Sequence, residues 1–253
     1  MTDRTQLRRL AAQQLESLAR AGVTHLPRVA TKTRSKLPAT PPAEPPPSAP
    51  AVVAEVSAAM SREGRAAALK VLQTEVAGCT RCQELAATRT QTVFGVGNIT
   101  PRLVFMGEAP GADEDKQGIP FVGRAGQLLT KIIEACTLRR EDVYILNTLK
   151  CRPPENRNPE PDEVLNCRGF FERQIDLLQP EYICCLGGVA AKSLLNSELS
   201  IGKLRKTFHQ YRGIPVLCTY HPSYLLRNPE AKRDVWEDMQ LLMRRMGIVL
   251  PGK

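Results

Sequence analysis

Four short apolar runs, separated by stretches of helical periodicity, constrain the fold of this chain more than any other feature. The runs are typical of buried strands and occupy residues 102–106, 143–147, 182–186 and 215–219. The helical stretches between and after them cover residues 128–136, 161–178, 189–195 and 228–246. Strands that alternate with helices form a parallel sheet with helices on both faces. We therefore predict an α/β fold, with three α/β/α layers around a central, mainly parallel four-stranded sheet.

The chain before the first strand has a different character. Residues 36–51 contain seven prolines, which favours an extended spacer over a packed core. Residues 5–20 place their leucines on one helical face and their arginines elsewhere. A chain of 253 residues suffices for one α/β domain with extra segments. We predict a basic amphipathic arm over 1–35, disordered or loosely helical, a Pro-rich linker over 36–60 and one folded domain over 61–253.

The net charge of +9, from 35 Lys and Arg against 26 Asp and Glu, favours a polyanionic partner such as nucleic acid. Simple solubility explains the same charge. Residues 1–50 hold eight Lys or Arg and three Asp or Glu, so much of the excess lies on the arm. The arm is then a contact for DNA or for a replication or repair partner, or else a tail without function. An organelle transit peptide fits less well, because a Pro-rich spacer is not typical of one.

The eight cysteines suggest metal binding more than disulfides. The N-terminus lacks the apolar core of a secretory signal, and no stretch approaches the roughly 18 apolar residues of a membrane span. We therefore expect a cytoplasmic monomer with no membrane partner, whose thiols stay reduced. The pairs Cys79-x2-Cys82 and Cys151-x15-Cys167 can supply four thiolates to one centre. Their spacing leaves Zn(II) and an iron–sulfur cluster both open.

The other four cysteines, Cys136, Cys184, Cys185 and Cys218, lie in apolar segments, so we expect them to be core residues.

The first strand is followed by the segment GEAPGADEDKQGIPFVGRAG. Gly107 and Gly111 permit a tight turn, but the phosphate-binding patterns GxGxxG and GxxxxGK[ST] are missing. The carboxylates of Glu108, Asp113 and their neighbours would repel a phosphate group, so an uncharged ligand fits this loop better. Phe121 is either a core residue or a platform for a flat ring.

Polar residues also follow the second and fourth strands. Asn147 offers a donor and an acceptor, the pair required by the N3–H and O4 edge of uracil; capping a turn is an equally good explanation. His221, fixed by Pro222, stands at the end of the last strand, where a site role is favoured over a structural one. We expect Leu225 to enter a base stack as a wedge and Arg227 to contact phosphate.

Together these residues resemble the family 4 uracil-DNA glycosylases, the iron–sulfur branch of the uracil-DNA glycosylase superfamily. The resemblance covers about residues 69–246 and includes both cysteine pairs. It rests on four motifs in order: GEAPGADED, GIPFVGRAGQLL, VYILNTLKCRPPENRNPEP and HPSYLLR. Four ordered motifs with four cysteines are a specific pattern, and the arm and linker lie outside it.

The resemblance implies a repair enzyme that flips uracil out of single- or double-stranded DNA and hydrolyses its N-glycosidic bond. It implies a [4Fe-4S] cluster, structural in role, on Cys79, Cys82, Cys151 and Cys167. It also implies a uracil site formed by Gly107, Glu108, Ala109, Asp113, Phe121, Asn147 and His221. Related families carry a water-orienting Asp where this chain has Ala109, so Glu108 and Asp113 remain the candidates for that task.

The resemblance also implies a division of labour in the reaction. Phe121 stacks on the base, Asn147 recognises its edge and His221 stabilises the departing anion. A covalently reacting branch of the superfamily carries KRRIH where this chain has CRPPENRNPEP, so ordinary turnover is expected.

Two other classes of protein fit parts of the sequence. A non-catalytic DNA-binding or polymerase-accessory protein with a structural metal or iron–sulfur site needs only the basic surface. An iron–sulfur redox carrier needs only the cysteines.

Overall fold

The structure, a computed structural model, describes residues 60–250. The predicted arm over 1–35 and the predicted linker up to residue 59 lie outside the described residues. No helix within 60–250 is long and apolar enough to cross a membrane.

Six strands form one sheet: β1 (Val96–Gly97), β2 (Leu103–Gly107), β3 (Tyr144–Asn147), β4 (Tyr182–Leu186), β5 (Phe208–Tyr211) and β6 (Ile214–Thr219). Their spatial order is β1-β3-β2-β4-β6-β5. The four inner strands are parallel and correspond to the four predicted runs within a residue at their ends.

Two antiparallel edge strands were not predicted. Strand β1 has only two residues, too few for a periodic signal. Strand β5 has the mixed sequence FHQY and forms a hairpin with β6 through Arg212 and Gly213, both at positive φ. This backbone suits a tight hairpin turn.

The helices are α1 (Arg62–Ala77), α2 (Gln83–Thr88), α3 (Ala112–Gln117), α4 (Arg124–Ala135), α5 (Pro161–Leu178), α6 (Gly188–Leu195), α7 (Ile201–Leu204), α8 (Pro222–Arg227) and α9 (Ala231–Arg245). A short 3₁₀ turn, Pro154–Asn156, lies between β3 and α5. Helices α4, α5, α6 and α9 match the predicted periods, although α9 begins three residues after Asn228.

The helices cover both faces of the sheet, as predicted. Within β2, Val104 and Met106 pack into a core with residues of α1, α5 and α6. Leu103 and Phe105 pack into a second core with residues of α4, α8 and α9. This alternation follows from the two-residue period of a strand, and it makes both sides of β2 apolar.

The register brings the carboxyl ends of the inner strands to one edge of the sheet. Gly107 of β2 lies opposite Asn147 of β3, and Leu186 of β4 lies opposite Thr219 of β6. The chain passes from β2 to β3 on one side and then returns to β4 on the other. In parallel sheets, ligands bind at such a change of direction, beyond the carboxyl ends.

Candidate active site

A cavity of about 410 Å³ opens at this edge of the sheet. Its walls come from the loops that follow all four parallel strands. They are Glu108, Ala109, Pro110, Gly111, Glu114, Phe121, Ala125, Asn147, Pro153, Asn156, Arg157, Asn158, Gly187, Gly188, His221, Ser223, Tyr224 and Arg227. The volume is in the range of small-molecule sites.

Asn147 lies at the inner wall of the cavity and is 2% exposed. Its side-chain Oδ1 is buried and accepts no hydrogen bond from the described residues. An unsatisfied buried acceptor is unfavourable, so this atom is suited to a donor supplied by a ligand.

Gly107 has no side chain, and this leaves room for the side-chain amide of Asn147. A Cβ at position 107 would overlap Asn147 Oδ1 and approach the Phe121 ring to 2.5 Å. Because the peptide N–H of Thr148 also donates to the Gly107 carbonyl at 2.9 Å, the backbone at position 107 cannot easily retreat. Only glycine fits there.

His221 also lines the cavity. Its Nδ1 accepts a hydrogen bond from the Ser223 backbone N–H at 3.1 Å, and the Ser223 hydroxyl lies 2.7 Å from the same nitrogen. Burial, together with the smaller effect of the positive charge of Arg227, lowers the pKa of His221 to about 4. The imidazole is therefore neutral at neutral pH, with its proton on Nε2.

Phe121 is 6% exposed and its ring lies beside that of His221, with centroids 5.5 Å apart and planes tilted by 37°. Its φ of 55° is a left-handed conformation that a phenylalanine rarely adopts. Glu114 stabilises this turn: its carboxylate accepts from the N–H groups of Val122 and Gly123, both at 2.9 Å, and of Gly111 at 3.0 Å.

The two predicted carboxylates lie in different places. Glu108 lines the cavity, and burial raises its pKa. Asp113 is exposed and does not line the cavity, which contradicts its expected place in the uracil site. Both Asp113 and Glu114 lie on α3, and the helical turn points the next residue, Glu114, inwards instead.

Leu225 is 1% exposed and packs into the core with α4 and α9. The expected wedge role of Leu225 is therefore contradicted, because a side chain committed to the core is not free to enter a base stack. Leu225 lies on the short helix α8. Its exposed apolar side chains are Tyr224 and Leu226, each 39% exposed. Arg227 is exposed at the cavity.

Several cavity residues were missed by sequence reasoning. Glu114 could have been found from its place three residues after Gly111, where a Glu accepts from the first N–H of a helix. Gly187 and Gly188 directly follow a predicted strand, so they carried the same signal as Gly107. Arg157 lies in a proline-rich loop without periodicity, which gives no signal for a side chain's direction.

The four cysteines of the predicted metal site share one neighbourhood, beside Arg81 and Arg89. Cys151 and Cys167 are buried, and Cys79 and Cys82 half-buried. The thiols lie close enough for their charges to act on one another. Among residues 60–250, no three His, Cys, Asp or Glu side chains meet the geometry of a single-ion site.

Each of the four sulfurs accepts a hydrogen bond. Arg89 donates to Cys151 at 3.0 Å, Arg81 to Cys79 at 3.4 Å and Asn166 to Cys82 at 3.6 Å. The backbone of Lys150 donates to Cys167. Burial raises the pKa of the Cys167 thiol to about 11, and the Lys150 contact opposes this shift.

The remaining cysteines are core residues, as predicted. Cys136, Cys184, Cys185 and Cys218 are each at most 1% exposed.

The loop between Cys151 and Cys167 joins the cysteines to the cavity. Its residues Pro153 and Asn156–Asn158 form one wall. Arg157 binds Glu163 of α5 through two contacts of 2.7 and 2.9 Å, and Glu84 of α2 at 2.7 Å. These contacts hold the loop against α5, which contains Cys167, and against α2, which begins directly after Cys82.

Comparison with known proteins gives a consistent family. Residues 94–240 match the model of the uracil DNA glycosylase superfamily. A type-4 uracil-DNA glycosylase of Thermotoga maritima is 45% identical over 176 residues, 68% of this chain and 91% of that protein. Type-4 enzymes of Archaeoglobus fulgidus and Saccharolobus solfataricus are each 42% identical, over 66% and 68% of this chain and 87% and 83% of theirs.

The fold, the cavity and this match define the class: the chain belongs to the uracil DNA glycosylase superfamily. Its identity to several type-4 enzymes places it in the type-4 branch.

Proposed function

We propose that this protein removes uracil from DNA by hydrolysing the N-glycosidic bond, which leaves an abasic site. The observation that carries the proposal is that Asn147, Phe121 and His221 line one cavity, although they are far apart in the sequence. The type-4 relatives, named as uracil-DNA glycosylases, support the same activity.

Uracil inside a duplex is out of reach, so the nucleotide must rotate out, at a cost of a few kcal/mol in stacking and pairing. Phe121 then stacks on the base, and Asn147 pairs with its edge. The unpartnered Oδ1 of Asn147 accepts the N3–H of uracil, and the amide N–H donates to O4. Cytosine carries no proton on N3 and an amino group at position 4, so it presents the reverse pattern.

His221 stabilises the departing base. As the glycosidic bond breaks, negative charge builds on uracil O2, and the neutral imidazole donates a hydrogen bond there from Nε2. The Ser223 N–H on Nδ1 fixes this tautomer before substrate binds. One preorganised donor of this kind is worth about 3–4 kcal/mol, or roughly 10²–10³ in rate.

Glu108 is the carboxylate that we assign to the attacking water or the sugar cation. Its side chain accepts no hydrogen bond from another described residue, whereas both oxygens of Glu114 are occupied by backbone N–H groups. Glu108 is therefore free to bind water on the cavity side. Ala109, which follows it, lines the cavity but has no carboxylate for this task.

The DNA surface surrounds the mouth of the cavity. Arg227 is suited to a phosphate, and the exposed Tyr224 and Leu226 are suited to the gap that a flipped nucleotide leaves. The side chain of Leu226 takes the wedge role that was expected of Leu225.

The cysteine set fits a [4Fe-4S] cluster. Four thiols in one neighbourhood match the usual ligand set of such clusters, and an N–H donor on every sulfur is the contact that stabilises ligating thiolates. The group would be held by Cys79, Cys82, Cys151 and Cys167. When bound, it would cross-link the segments at α1, α2 and α5 with the loop at the cavity.

An oligonucleotide with a single uracil tests the proposal. After incubation and alkali, we expect strand cleavage at the uracil position and none with cytosine or thymine there. Asn147→Ala and His221→Ala should each lose most single-turnover release and still bind abasic DNA. An inactive wild-type protein that binds DNA would instead support the accessory-protein alternative, and one that is readily reduced but inactive would support a redox carrier.

A further inference from the structure

Lys150 is the only lysine buried within residues 60–250, and it is 1% exposed. A buried ammonium group is unfavourable unless it is hydrogen-bonded and balanced by negative charge. Lys150 directly precedes Cys151, and the sulfurs of Cys167 and Cys151 lie near its side chain, so Lys150 is buried beside the cysteine site. Its burial therefore depends on the hydrogen bonds that it makes.

Three hydrogen bonds hold Lys150 between that site and the cavity. Its Nζ donates to the backbone carbonyl of Asn147 at 2.7 Å. Its backbone N–H donates to the sulfur of Cys167, and its carbonyl accepts from the N–H of Val93 at 2.7 Å. A single residue thus bridges a sulfur ligand and the base-recognising asparagine.

We propose that Lys150 is a positioning residue that fixes Asn147 for base recognition. The inference rests on the proposed function, in which Asn147 binds uracil and the four cysteines hold a cluster. Because Oδ1 of Asn147 has no hydrogen-bond partner among residues 60–250, its direction depends on the backbone, and Nζ of Lys150 holds that backbone.

Lys150→Met tests the proposal, since it removes the Nζ hydrogen-bond donor and keeps the side-chain length. The readouts are single-turnover uracil release and the inhibition constant of free uracil. We expect the rate of uracil release to fall and the inhibition constant of free uracil to rise, each by about tenfold or more, the size of one hydrogen bond to a charged group. Lys70→Met, at an exposed position of α1, is the matched control and should equal wild type.

The path through Asn147 is tested by repeating Lys150→Met in the Asn147→Ala background. If Lys150 acts through Asn147, the second change adds less than about twofold. Fully additive effects overturn the proposal, and so does a Lys150→Met protein with wild-type uracil inhibition.

If the variants do not fold, hydrogen exchange on the wild-type protein tests whether the cysteine site stabilises the segment that contains Asn147 and Lys150. The peptide over 147–150 should exchange faster after iron removal, while the β6 peptide changes less. An increase in exchange rate that is equal in both peptides, or absent from both, overturns this connection between the cysteine site and Asn147. A wild-type protein that releases no uracil would refute the proposed function itself, whereas an active wild type with an unchanged Lys150→Met refutes only this inference.

Discussion

The backbone N–H of Ser223 donates to Nδ1 of His221 across 3.1 Å. An amide N–H can only donate, so Nδ1 accepts and the neutral ring carries its proton on Nε2. Pro222 begins α8 directly after His221, which fixes the backbone between the two partners. The cavity therefore offers a ligand a neutral donor whose tautomer is set by the fold.

This environment predicts a pH dependence of stability. The pKa of His221 is about 4 in the folded protein, against about 6.5 in an unfolded chain. Between these values the unfolded chain binds a proton that the folded protein does not, so the free energy of unfolding falls as pH falls from about 6.5 towards 4. Urea denaturation at several pH values should show this slope in wild type and a shallower one in His221→Gln. Parallel slopes in the two proteins contradict the assignment.

Gly107→Ala should abolish the site and leave the fold intact. The added Cβ would overlap the Asn147 amide and the Phe121 ring, and displacement of such groups by about 1 Å lowers rates on the order of 10²-fold. Single-turnover kinetics with circular dichroism measure the two effects. Gly169→Ala in α5 is the control. Apart from the helix's own backbone, no atom of the described residues lies within 4 Å of the new Cβ, so the change should stabilise the protein by about 0.5–1 kcal/mol and leave activity unchanged.

Glu108→Gln and Asp113→Asn separate the two candidate carboxylates. Only Glu108 lines the cavity, so its loss should lower single-turnover cleavage by about 10²–10⁴-fold, the usual range for a group that activates water. The exposed Asp113 should tolerate its change with activity within about threefold of wild type. The reverse order of effects would return Asp113 to the mechanism.

Leu225→Ala and Leu226→Ala separate packing from base flipping. Truncation of the buried Leu225 should reduce the free energy of unfolding by about 2–5 kcal/mol. Truncation of the exposed Leu226 should leave thermal stability unchanged and slow cleavage of duplex substrate more than of single-stranded substrate, because only the duplex needs a wedge. Equal slowing on both substrates would remove Leu226 from that role.

The parallel core of the sheet could be predicted because each inner strand is apolar on both faces. Residues 103–106 and 182–186 are unbroken apolar runs, and their short length is typical of strands buried on both faces. Strand β5 escaped prediction because Phe208–Tyr211 is only partly buried and depends on its hairpin partner β6. A two-residue strand such as β1 exists only through its pairing with β3.

The candidate site was predictable where a residue lies at or just beyond the end of a parallel strand, because these ends meet at one edge of the sheet. Asn147 is the last residue of β3, and His221 lies two residues after β6. Asp113 and Leu225 do not meet this condition, since each lies in a short helix whose rotation decides which side chain faces inwards. A shift of one residue on a helix turns a side chain by about 100°. This rotation exchanged Asp113 for Glu114 and left Tyr224 and Leu226 exposed in place of Leu225.

The sequence by itself determined the alternation of strands and helices, the edge of the sheet that carries the polar residues and the two cysteine pairs. These features are local, because they depend on periodicity and spacing along the chain. Only the tertiary structure decided which carboxylate enters the cavity, which leucine is buried and that Lys150 joins the cysteines to Asn147. Those outcomes depend on helix rotation and on contacts between distant segments, and neither leaves a periodic trace in the sequence.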